Sequence, residues 1–153
     1  MSLVSFDKPM RSVVQLDINV PQERVAALFA DPGTSTKWMD DLARYEPISG
    51  DPGMPGSTYR LVPKKGNMVF VATVISRRLP NEARLNLVAS NIAVAVRGRF
   101  VPLSPNRTRL ISEEVFSFKG VFNRLFGFFA KRRIRKTHRR HMKAFKRFAE
   151  QHR

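Results

Sequence analysis

Residues 127–149 read GFFAKRRIRKTHRRHMKAFKRFA. Small and apolar residues recur in this stretch at the spacing of a helix, whereas arginine and lysine fill the positions between them. At about 100° per residue the two sets fall on opposite faces. Because no proline interrupts residues 119–153, we predict one long helix there, whose apolar face must be covered by another element. That face comprises Gly127, Ala130, Ile134, His138, His141, Met142, Phe145, Phe148 and Ala149.

The residues at the start of the predicted helix are out of phase with the rest of its apolar face, namely Val121, Phe122, Leu125, Phe128 and Phe129. The helix bends near Gly127, or a separate short turn precedes it, or this end is apolar on both sides. The aromatic residues then either close one end of the core or form an exposed cluster beside Lys131, Arg132 and Arg133. The second arrangement suits an anionic lipid surface.

Positive charge is concentrated in the same segment. The chain has a net charge of +16, and residues 119–153 hold 13 of the 28 Lys and Arg but only one of the 12 Asp and Glu. A face of one sign attracts nucleic acid or anionic lipid, or it simply keeps the protein in solution. The candidate polyanion-binding residues are Arg132, Arg135, Lys136, Arg139, Arg140 and Lys143.

Length and composition limit the possible classes of protein. A chain of 153 residues fits a single domain over 1–153. It has no cysteine, which excludes disulfides and thiolate metal sites. It has no apolar run of about 18 residues and no N-terminal signal core, so we expect a cytoplasmic protein without a membrane span. Gly-rich phosphate loops, nucleophile elbows and HExxH motifs are absent, so we predict no cofactor and no metal.

Alternation of apolar and polar residues predicts the remaining elements. Residues 11–20 form a strand, residues 21–31 a short helix begun by Pro21, and residues 35–42 a second short helix. Six further strands follow, joined by short turns, which indicates an antiparallel meander. We predict these strands over residues 45–49, 57–63, 68–79, 83–90, 92–103 and 107–118.

That order of elements, with three sequence stretches in it, resembles the START-related superfamily. The stretches are INVPQERVAALFADP (18–32), YEPISGDPGMPGSTYRL (45–61) and GRFVPLSPNRTRLISEEVFSF (98–118), the last running into KGVFNRLFGFF. The superfamily, also called SRPBCC, includes polyketide cyclases and dehydrases, lipid-transport proteins and birch-pollen-allergen-like proteins. The resemblance implies an α+β helix-grip fold, with a curved seven-stranded antiparallel sheet around the C-terminal helix. It also implies an apolar cavity, but no shared catalytic motif.

Two adjacent glutamates lie in the last predicted strand. Glu113 and Glu114 must face opposite sides of the sheet, and the aromatic residues on its side favour Glu114 as the inward one. A carboxylate in an apolar cavity has a raised pKa unless it is paired. Glu114 could then act as a general acid or base or orient a ligand hydroxyl, or it could pair with Arg97 or Arg99.

The other candidate ligand-binding residues are aromatic residues and histidines. The resemblance implies an aromatic residue near Trp38 at the cavity mouth, and strand alternation turns Tyr59, Phe70 and Phe116 inward. His138 and His141 lie on the apolar side of the helix, where they share a metal, point into the cavity or simply pack.

Three functions are compatible with these features. The first is the binding of a small hydrophobic molecule, such as a lipid or polyketide, in the cavity. The second is docking on RNA, the ribosome or an anionic membrane through the basic helix, and the third is a cyclase- or hydrolase-like activity using Glu114.

Overall fold

The computed structural model describes residues 9–119 and 123–153. Seven antiparallel strands form one sheet: β1 (Met10–Ile18), β2 (Leu42–Ser49), β3 (Thr58–Pro63), β4 (Phe70–Arg78), β5 (Glu82–Val88), β6 (Ile92–Ser104) and β7 (Arg107–Phe118). Their order in the sheet is β1-β7-β6-β5-β4-β3-β2. Apart from the pair formed by β1 and β7, strands that are neighbours in the sheet are consecutive in sequence, which confirms the predicted meander. The first strand joins it by pairing with the last.

The helices are α1 (Gln22–Ala30), α2 (Ser35–Trp38) and α3 (Asn123–Gln151), with a short 3-10 turn at Pro32–Thr34. These elements confirm the α+β helix-grip fold. The second helix is shorter than predicted because the chain is already extended at Met39 and β2 begins at Leu42. Helix α3 starts after the predicted position, since the Lys119 amide still donates to the Asn91 carbonyl at the end of the β6–β7 hairpin.

The apolar face of α3 packs on the sheet and on α1. Its buried residues belong to one cluster with residues of β1, α1, β6 and β7, comprising Ile18, Val20, Val25, Ala26, Leu28, Phe100, Leu110, Met142, Phe145, Phe148 and Ala149. Every α3 residue of this cluster follows His138 in the chain, so this part of the helix forms a closed, solvent-free core with the sheet and α1. Toward the start of α3, Ile134 packs on a smaller cluster of Met10, Val94 and Phe116.

Helix α3 runs through Gly127 without interruption, so a separate short turn at that glycine is ruled out. The side chain of Phe129 is 73% exposed and does not close the core. The other four residues of the predicted aromatic cluster, Val121, Phe122, Leu125 and Phe128, have side chains outside the described part of the chain.

A glycine in the sheet lets α1 approach it closely. Gly98 of β6 lies under the ring of Phe29, whose nearest atom is 2.7 Å from the position that a Cβ would take. The Phe29 ring in turn packs on Trp38, Phe100 and Phe145, with ring centroids 5.3 to 6.5 Å apart. This stack fixes Trp38 against the sealed core.

The basic residues of α3 lie where the pattern predicts them. All six candidate polyanion-binding residues are exposed: Arg132, Arg135, Lys136, Arg139, Arg140 and Lys143. Among the described residues, no helix is long and apolar enough to cross a membrane.

Candidate functional site

Two adjoining cavities lie between the sheet and α3. The smaller has a volume of about 110 Å³ and reaches from α1 and α2 to the centre of the sheet. The larger, of about 1040 Å³, lies beside the part of α3 from Ala130 to His141. Five residues line both, so the two spaces meet along them: Met39, Leu61, Leu87, Glu114 and His141.

Glu114 stands at this junction. Its side chain, on β7, is 20% exposed, and its Oε1 lies 3.7 Å from Nδ1 of the His138 ring. Burial raises the pKa of Glu114 to about 7, so the carboxyl is largely protonated just below neutral pH. The adjacent Glu113 faces the other side of the sheet, where it pairs with Arg11.

The alternative partners for Glu114 are engaged elsewhere or do not reach it. Arg97 donates two hydrogen bonds to Glu82, at 2.7 and 2.9 Å, and Arg99 makes no ion pair with any described residue. A protonated carboxyl that has no cation beside it can donate a hydrogen bond to a ligand or exchange a proton with it.

His138 connects α3 to two strands of the sheet. Its Nδ1 lies 2.8 Å from the hydroxyl of Ser12 in β1, and its Nε2 lies 2.9 Å from the hydroxyl of Ser112 in β7. The residue is 1% exposed. Burial, with a smaller effect from His141, lowers the pKa of His138 to about 4. The imidazole is therefore neutral, so one ring nitrogen donates to a serine and the other accepts from one.

His141, one turn further along, faces the junction of the cavities and the segment before β2. Its Nε2 is 2.9 Å from Oδ1 of Asp41 and 4.0 Å from Oδ1 of Asp40. These three residues could hold a metal ion, since their ligand atoms lie within 4.8 Å of one another. However, Arg140 contacts both aspartates at 3.4 Å, and its guanidinium already supplies the positive charge that a metal would bring.

The aromatic candidates separate into two groups. Trp38 lines the smaller cavity, and its Nε1 is buried without a hydrogen-bond partner among the described residues. Phe70 and Phe116 line the larger cavity. Tyr59 lines neither; it is 2% exposed, packs on Tyr45 with ring centroids 5.1 Å apart, and accepts a hydrogen bond from the Gly53 amide. It thus anchors the loop before β3, and Tyr45 takes the place at the cavity wall.

Sequence reasoning missed several residues of this site. Ser12 and Ser112 were not assigned, although each occupies an inward position in an alternating strand, which is a signal for a buried polar partner. Lys64 and Lys65, in the connection between β3 and β4, also line the larger cavity, and no pattern within the chain links them to α3.

Comparisons with known proteins agree with this architecture. A family model described as polyketide cyclase / dehydrase and lipid transport matches residues 10–150. No curated protein sequence matches the chain. Among solved structures, a START superfamily protein from Mycobacterium smegmatis has a TM-score of 0.78 at 17% identity, covering 94% of this chain and 99% of that one.

Two enzymes share the fold as well. The Zhui aromatase/cyclase from Streptomyces sp. R1128 has a TM-score of 0.76 at 12% identity, covering 94% of each chain. Norcoclaurine synthase from Thalictrum flavum, in complex with dopamine and hydroxybenzaldehyde, has a TM-score of 0.63 at 12% identity, covering 100% of this chain and 98% of that one. At these identities the likeness concerns the fold alone.

The opposite pKa shifts of Glu114 and His138 have a measurable consequence. In the unfolded chain their ordinary pKa values are 4.5 and 6.5. Between these pH values each state binds one proton, held by His138 when unfolded and by Glu114 when folded. Raising the Glu114 pKa contributes stability that is lost as pH rises toward 7, and lowering the His138 pKa costs stability as pH falls toward 4. From pH 4.5 to 6.5 these two changes in the free energy of unfolding with pH are opposite in sign and cancel.

We predict that the Glu114→Gln variant shows the pH dependence of stability that His138 alone causes. Relative to the parent, the free energy of unfolding should then fall as pH falls from 6.5 to 4.5, by about 1.4 kcal/mol per pH unit at most. The measurement is urea unfolding at several pH values. The conservative control Glu114→Asp keeps a titrating group there and should show a weaker slope. An E114Q curve parallel to the parent's would contradict the two assigned protonation states.

Proposed function

Because the chain belongs to the polyketide cyclase / dehydrase and lipid-transport family, we propose that it binds a small hydrophobic molecule, such as a lipid or polyketide, between the sheet and α3. The observation that carries this proposal is the larger cavity. Its volume of about 1040 Å³ is at the upper end of the range typical of ligand sites, roughly 300–1,000 Å³. Apolar side chains of β4, β5, β6 and β7 line it. Removing a ligand's apolar surface from water there gains about 25 cal/mol per Å².

Two polar groups would orient the ligand. The Trp38 Nε1 is buried without a partner among the described residues, and a buried donor left without an acceptor costs about 1–3 kcal/mol. The Glu114 carboxyl is the second, since the described residues offer it no hydrogen bond. A ligand carbonyl or hydroxyl that reaches either group would satisfy it, so apolar burial supplies affinity and these two groups supply orientation.

Filling the junction of the cavities should weaken binding. Leu87 lines both spaces, and Leu87→Trp would occupy their meeting point. We expect the neutral dye phenylnaphthylamine to bind the parent with enhanced emission and with quenching of Trp38. The L87W variant should lose at least about tenfold in affinity. The measurement is a fluorescence titration.

The neighbouring residue supplies a matched control. Val88 is 50% exposed on the other face of the same strand, so Val88→Trp adds the same side chain outside the cavity. We expect V88W to bind the dye as the parent does. Equal affinity in all three proteins would place the dye outside the cavity and overturn the proposal.

A cyclase- or hydrolase-like activity remains compatible with the same site. Glu114, with its pKa raised to about 7 by burial, would be the general acid or base.

Docking on a polyanion is the second candidate, favoured by the exposed basic face of α3. Arg132, Arg135, Arg139 and Lys143 are exposed, and none makes an ion pair with another described residue. Replacing these four with glutamine should leave the melting temperature unchanged or raised, because like charges one turn apart repel each other. If the face docks, the variant should lose binding to RNA or anionic vesicles at about 0.05 M salt. Binding equal to that of the parent would exclude docking through this face.

A further inference from the structure

The mouth of the larger cavity carries cations that no described residue neutralises. Lys64 and Lys65 lie in the connection between β3 and β4, and Arg133 and Lys136 lie on α3. All four are exposed and all four line the larger cavity. None makes an ion pair within residues 9–119 and 123–153, whereas Arg97 and Arg109 elsewhere in the sheet are paired with acids.

The acidic residues of the same cavity do not offset these cations. Asp40 and Asp41 carry two negative charges and both contact Arg140, which offsets one of them, so at most one charge is left to set against the four cations. Glu114 lies at the buried junction, and burial raises its pKa to about 7, which leaves it largely uncharged just below neutral pH. Positive charge at the rim is therefore in excess.

The inner wall has the opposite character. Leu42, Val94 and Phe116 are buried there, and Phe70 is partly buried beside them. A molecule in this space would thus meet apolar side chains along its length and four unpaired cations at the end near solvent. Apolar walls retain any hydrophobic compound, but a group of unpaired cations selects among such compounds by charge.

We propose that the ligand of this cavity is an amphipathic anion, with its apolar body against the inner wall and a carboxylate, sulfonate or phosphate head at Lys64, Lys65, Arg133 and Lys136. The proposal rests on the proposed function and narrows it from hydrophobic compounds in general to those with one acidic head. The orientation follows from charge, since an anionic head would be repelled at the junction whenever Glu114 ionises.

Two dyes with one ring system test the proposal. Anilinonaphthalene sulfonate is phenylnaphthylamine carrying one sulfonate group, so the pair differs only in the anionic head. We expect the parent to bind the sulfonate roughly tenfold more tightly than the neutral dye at about 0.05 M salt, from several weak exposed ion pairs acting together. The preference should shrink as salt rises to about 0.5 M, whereas affinity for the neutral dye should not fall.

Two charge-matched variants locate the effect. Replacing the four mouth residues with glutamine should remove the preference and leave affinity for the neutral dye unchanged. The control replaces Arg132, Arg135, Arg139 and Lys143 with glutamine, which removes the same charge from side chains of α3 that line neither cavity. It should keep most of the preference. Replacing the β3–β4 pair and the α3 pair separately repeats the test with two substitutions each, and each should remove part of the preference.

The outcomes separate this inference from the proposal beneath it. If both dyes bind the parent equally well, or if the control loses the preference as fully as the mouth variant does, the anionic head is overturned and the hydrophobic cavity stands. If neither dye binds, both the hydrophobic-cavity proposal and the anionic-head inference are overturned.

Discussion

The contact on which this structure depends is the buried imidazole of His138, held between the hydroxyls of Ser12 and Ser112. It fixes α3 to the two strands at one edge of the sheet, β1 and β7, which pair with each other. Beyond it the helix buries Met142, Phe145, Phe148 and Ala149 in a sealed core. Before it the helix faces the larger cavity. His138 thus lies between the packed core, which stabilises the fold, and the larger cavity. A shift of α3 at this residue would alter both.

The same anchor explains how the cavity tolerates a carboxyl group. Burial disfavours charge on both His138 and Glu114 and moves their pKa values in opposite directions, to about 4 and about 7. The folded protein therefore keeps both groups neutral near pH 6 rather than forming a buried ion pair, whose desolvation would cost several kcal/mol per ion. A neutral carboxyl and a neutral imidazole 3.7 Å apart leave the junction polar but uncharged. Such a junction suits an apolar ligand with a hydroxyl or carbonyl better than a charged group.

Local patterns predicted the elements well, because alternation and helical spacing are properties of consecutive residues. All seven strands, the apolar face of α3 and the outward direction of Glu113 were predicted in this way. What the patterns could not provide is which distant residues meet. Ser12 and His138 are 126 positions apart, and their contact depends on where α3 crosses the sheet. For the same reason Tyr59 was assigned to the cavity, since alternation gives the inward direction but not the depth. Lys136 and Arg140 were grouped with the solvent-facing basic residues, although both also line the larger cavity.

The central claim is that a ligand binds beside the part of α3 from Ala130 to His141 and is excluded from the core that Phe145 and Phe148 help to form. An isotope-filtered NOE spectrum of the labelled protein with bound phenylnaphthylamine tests it most directly, because it reports which methyl groups touch the dye. The account predicts contacts to Leu87, Val94 and Ile134, which line the larger cavity. Contacts instead to Val25 in the sealed core, or to Val88 on the outer face of the sheet, with none to the first three, would contradict it.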